Sequence, residues 1–91
     1  MEYIILLTKQ AQKDAQKLEA CGLDKKAKEL LKIIKENPFQ NPPPYEKLVG
    51  DLKGFYSRRI NIQHRIVYEV TEQIKDNKRV IRILRLWTHY E

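Results

Sequence analysis

Three different rhythms of hydrophobic and polar positions succeed one another along this 91-residue chain. Tyr3-Ile4-Ile5-Leu6-Leu7 is an unbroken apolar run, short and β-rich, and it predicts a strand buried on both faces. Thr8 then stands where a helix N-cap belongs, since its hydroxyl can accept from an orphan N–H of the first turn. Ala11, Ala15, Leu18 and Cys21 follow at helical spacing, and Gly22 ends that helix. Asp24 reads as the cap of a second helix, whose apolar face is Ala27, Leu30, Leu31, Ile33 and Ile34. Lys25, Lys26, Lys28, Lys32 and Lys35 line its polar side. Two helices separated by a two-residue break predict an antiparallel hairpin.

Residues 37–45 hold every proline of the chain. Proline fixes φ and lacks the N–H, so this stretch is expected to be a stiff, extended crossing. Beyond it the period changes to two. Residues 55–62, 65–70 and 79–87 are the strand candidates, with turns at Gly54 and across 72–78. The order β-α-α-β-β-β predicts a single α+β domain over 1–91, with a two-helix hairpin between its N-terminal strand and an antiparallel sheet.

Composition then narrows the class of protein. Apolar content of 42% is too high for a disordered chain. One cysteine, Cys21, cannot form an internal disulfide, so the cytoplasm is the simplest compartment. Five apolar residues behind Glu2 do not make an export signal, and no run is long enough to span a membrane.

Charge changes the picture further. Eighteen Lys and Arg face twelve acids, a formal +6. Residues 1–45 hold eight Lys, no Arg and six acids, whereas 46–91 hold four Lys, six Arg and six acids, so the halves carry +2 and +4. Arginine suits bidentate phosphate contact, which makes the second half the place where a polyanion would be read. Lys53, Arg58, Arg59 and Arg65 stand together in a stretch without any acid.

Several chemistries lack their residues. The glycines at 22, 50 and 54 are isolated, so no loop cradles phosphates; one Cys with His64 and His89 has no zinc-site spacing; Ser57 carries no nucleophile signature. No metal or other cofactor is expected. What remains fits cleavage of RNA by its own 2′-OH. That reaction needs a base for the hydroxyl proton, a cation for the charge building on phosphate, and an acid for the leaving 5′ oxygen. Glutamate, arginine and histidine can supply all three.

The longest informative stretch is Pro-Tyr-Glu-Lys-Leu-Val-Gly-Asp-Leu-Lys-Gly-Phe-Tyr-Ser-Arg-Arg-Ile-Asn-Ile-Gln-His-Arg-Ile-Val-Tyr, residues 44–68. With Asn-Pro-Phe at 37–39 and Thr88-His89-Tyr90-Glu91, it resembles the YoeB-type toxins of the RelE-like superfamily. The resemblance implies a RelE-like fold and a ribosome-dependent mRNA endoribonuclease held inactive by an acidic antitoxin. By motif position, Glu46 would be the general base, Arg65 the transition-state cation and His89 the general acid. Tyr90 would stack on a base or orient the substrate. Arg59, and with less support Arg58, would contact phosphate.

Val49 departs from the pattern, where relatives often carry Lys, so Lys47 or Lys53 would supply that contact. His64 precedes Arg65 on a strand, faces the other way and reads as structural. Arg65 could instead pair with Glu69, its same-face neighbour. The expected partners are mRNA, ribosomal RNA and the antitoxin, with DNA reached only through the antitoxin complex and a homodimer left open. A second class also stays open: a non-catalytic RNA- or antitoxin-binding module that keeps the fold, which would have no need of His89 and Tyr90.

Overall fold

A computed structural model describes residues 2–50 and 54–86. The elements run β1 (Tyr3–Leu7), α1 (Lys9–Ala20), α2 (Asp24–Glu36), β2 (Glu46–Lys47), β3 (Phe55–Arg59), β4 (Arg65–Lys75) and β5 (Lys78–Arg85). One sheet takes the order β1-β5-β4-β3-β2. β1 lies parallel to β5, and every other neighbour pair is antiparallel. This is the α+β arrangement the rhythms predict, with the antiparallel meander in its second half.

Thr8 caps α1 as anticipated, accepting from the Ala11 N–H at 3.1 Å and donating to the Leu84 carbonyl at 3.0 Å. The far end of α1 closes in a Schellman turn: Gly22 N donates to Glu19 and Leu23 N to Leu18, with Gly22 at φ +75°. The cap of α2 differs from expectation. Leu23 occupies the N-cap without a side-chain bond, and Asp24 is the first helical residue, where its charge suits the helix dipole. Cys21 is exposed rather than part of the buried stripe, because the helix has already turned off at Ala20.

Both helices lie on one face of the sheet. Ala11, Leu18, Ala27, Leu30 and Ile34 meet Ile66, Tyr68, Ile81 and Ile83 in a continuous core. Each buried isoleucine there contributes roughly 1.5–3 kcal/mol. β1 is half-buried along its length rather than covered on both faces, because it forms one edge of the sheet. The predicted break at 72–78 shrinks to Asp76-Asn77, both at positive φ as a two-residue hairpin turn requires. β4 extends to Lys75, and its last residues are solvent-exposed, so no apolar alternation marked them as strand.

The strand period decides what faces away from the helices. Ile66 and Tyr68 point into the core, so Arg65, Val67 and Glu69 emerge on the opposite, helix-free face.

Candidate active site

The helix-free face of β2, β3 and β4 gathers the polar residues that sequence singled out. Glu46 stands opposite Ser57, and Arg59 stands directly opposite Arg65. Two arginines in register would repel one another, and the Glu46 carboxylate relieves that repulsion. Arg65 Nη1 donates to Glu46 Oε2 at 3.0 Å and approaches Ser57 Oγ at 3.5 Å. A cavity of about 260 Å³, lined by Pro44, Glu46, Ser57, Arg59 and Arg65, opens above them. Its size suits a phosphodiester and its sugar rather than a drug-sized apolar ligand.

The pair is poised for exchange. The Glu46 side chain is 63% exposed and that of Arg65 22%. An ion pair so wet is worth only about 0.2–1 kcal/mol, so a phosphate oxygen can displace the carboxylate from Arg65 with little loss. Arg65 therefore pairs with Glu46 rather than with Glu69, which bonds Arg82 at 2.9 Å instead.

Three other residues separate from this cluster. Lys47 alternates away from Glu46 and lines a neighbouring groove with Leu48, Val49, Phe55 and Tyr56. Val49 is 83% exposed, an apolar side chain on that rim. Arg58 corrects the sequence expectation outright. It is 1% exposed, and its guanidinium donates to the carbonyls of Pro38, Gln40 and Pro43 and to the Tyr68 hydroxyl. With those donors committed inside the fold, it is not presented to an RNA phosphate. Lys53, Trp87, His89, Tyr90 and Glu91 lie outside the described residues. His64 is half-buried, and its backbone closes the β3–β4 turn with Ile60 and Asn61.

Sequence reasoning missed Asp14. This carboxylate is fully buried on α1 and accepts from Arg85 Nε at 2.8 Å, Leu86 N at 3.1 Å and Gln10 Nε2 at 3.1 Å. Burial pushes its carboxyl upward. The bonds from Arg85, Leu86 and Gln10 and the Arg85 charge outweigh that and hold it below its usual value. Its signal was an acid inside the Ala11–Leu18 stripe, at the position where an apolar residue would be expected. Among the described residues no group of His, Cys, Asp and Glu could hold a metal ion.

A mixed five-stranded sheet with two helices on one face is the α+β fold of the RelE-like toxins. The chain belongs to the family described as YoeB-like toxin of bacterial type II toxin-antitoxin system, whose model matches residues 8–90. Toxin YoeB of Escherichia coli K12 is 46% identical over 48 residues, 53% of this chain and 57% of that protein. The chain thus spans a little over half the length of such curated relatives. The YoeB/ParE toxin from Agrobacterium tumefaciens superposes with a TM-score of 0.83 at 26% identity, over 99% of this chain and all of that one. YoeB of Staphylococcus aureus, solved in a heterotetrameric complex with YefM and as a dimer, is 35% identical over 99% of this chain and all of that one. Its TM-scores are 0.74 and 0.78.

Proposed function

We propose that the protein is a ribosome-dependent mRNA endoribonuclease, the toxin of a type II toxin–antitoxin pair, acting in the cytoplasm. The observation that carries this reading is the Glu46–Arg65 contact at 3.0 Å on the open sheet face, with Arg59 in register beside it. Glu46 accepts the proton of a ribose 2′-OH as that oxygen attacks the adjacent phosphorus. Arg65 and Arg59 hold the non-bridging oxygens as charge builds on them. The bond from phosphorus to the 5′ oxygen breaks, and His89 protonates the leaving oxygen while Tyr90 stacks on the neighbouring base. A 2′,3′-cyclic phosphate and a 5′-hydroxyl result.

The surplus of arginine and lysine outside this cluster would dock on ribosomal RNA, a mode that weakens with salt. An acidic antitoxin segment would fold across Arg59 and Arg65 and cover the cavity; that such a chain has an antitoxin partner is supported by the Staphylococcus aureus relative, solved in complex with YefM. The same relative's dimer supports self-association as a further state. The test is induced expression of wild type, Glu46→Ala, Arg65→Ala and His89→Ala, with cut sites mapped on isolated ribosomes. Wild type is expected to arrest growth and cut mRNA, and each variant to lose cutting. A wild type that neither arrests growth nor cuts would sink the nuclease reading. Variants that all cut as well as wild type would sink the residue assignments alone.

A further inference from the structure

Arg58 is a buried cation with no carboxylate partner among the described residues. Four of its five N–H groups are engaged. Nη1 donates to Pro43 O at 2.6 Å, Nη2 to Pro38 O at 3.1 Å and Gln40 O at 2.8 Å, and Nε to Tyr68 Oη at 3.2 Å. The Tyr45 ring lies 5.2 Å from its central carbon. Tyr68 Oη in turn donates to Pro38 O at 2.7 Å, and burial pushes that phenol up, which keeps it a donor.

The proline-rich segment explains the need for such a centre. With four prolines among nine residues, 37–45 has few N–H groups of its own and cannot pair in a regular ladder. Its inward carbonyls still require donors. One planar guanidinium reaches three of them, spaced along the segment, and so fixes the path of the chain up to Tyr45. Glu46 is the next residue, and β2 holds it to β3 through only two residue pairs. The other side of the centre is equally informative: Tyr68 sits on β4, the strand that carries Arg65.

We infer that Arg58 is a positioning residue for the candidate base: with Tyr68 it locks the segment before Glu46 onto the strand that carries Arg65. The inference rests on the nuclease reading for its kinetic consequence, but its structural half stands apart. A mobile 38–45 segment would let Glu46 swing relative to Arg65, and displacement by about 1 Å can cost about a hundredfold in rate.

Two variants and two readouts test it. Arg58→Lys keeps the charge but cannot bridge three carbonyls, and Tyr68→Phe removes one hydroxyl only. Hydrogen–deuterium exchange on the purified toxin should be about tenfold faster in 39–48 for Arg58→Lys, with β4 and β5 unchanged. Tyr68→Phe should shift the same amides less. In single-turnover and steady-state cleavage of ribosome-bound mRNA, Arg58→Lys should lower kcat by about a hundredfold with KM within about threefold. Wild-type exchange in 39–48 would overturn the inference, as would faster exchange with kcat unchanged, or a raised KM at normal kcat. If wild type itself cuts no mRNA, the nuclease reading falls and the exchange arm still decides whether Arg58 locks the segment. If Arg58→Lys does not fold, Tyr68→Phe carries both arms.

Discussion

Two of the arginine–carboxylate pairs among the described residues are nearly equal in length and opposite in character. Arg85 and Asp14 meet at 2.8 Å, Arg65 and Glu46 at 3.0 Å. Asp14 is fully enclosed and takes three donors, one of them the Leu86 backbone, so its charge serves to tie α1 to the end of β5. Glu46 is mostly exposed and takes Arg65 alone among the described residues, so its charge is available to a newcomer. Distance therefore says little about the job of an ion pair. Desolvation and the count of further donors separate a scaffold from a reagent.

The sharpest way to break the contrast is to remove each acid. Asp14→Ala leaves the Leu86 N–H and Arg85 without their acceptor in a buried place. The cost should be about 3 kcal/mol, since Arg85 can still reach water, and the melting temperature should fall by roughly 15 °C. A calorimetric scan checks this, and an unchanged melting point would mean that the pair is ornamental.

Next in size is the acid limb of stability. The folded Asp14 carboxyl lies below its unfolded value, so through that interval the native chain binds fewer protons than the unfolded chain and stability rises with pH. The contribution is complete above about pH 4 and is lost as pH falls through the folded value. Asp14→Asn should flatten the melting temperature against pH below about pH 4. Smaller again is Thr8→Ala, which removes the α1 cap and the bond to Leu84 beside Arg85. About 1 kcal/mol of destabilisation in urea is expected, with the slope m unchanged.

Much of the fold was legible because helix and strand periods are local. Ala11, Leu18, Ala27, Leu30 and Ile34 read as a buried stripe and are one. The end of β4 was not legible, since Glu72–Lys75 faces solvent and its mostly polar letters resemble a turn. β2 is only Glu46–Lys47 and has no pattern to read; its partner strand alone defines it. For the site, motif resemblance pointed to Glu46, Arg59 and Arg65, which the sheet register brings together. Arg58 and Arg59 look interchangeable as letters, but strand alternation turns one to the proline carbonyls and the other to the open face. Asp14 lies 71 residues from Arg85, and a pairing across that separation leaves no local trace.

Glu46 is proposed to serve chemistry and not the fold. The direct test is the cleavage rate of ribosome-bound mRNA by purified Glu46→Gln, read at a temperature where its unfolding curve overlays that of wild type. Stability within about 1 kcal/mol of wild type and a rate lower by about 10²–10⁴-fold are expected. Cutting at the wild-type rate by the folded variant would contradict that role.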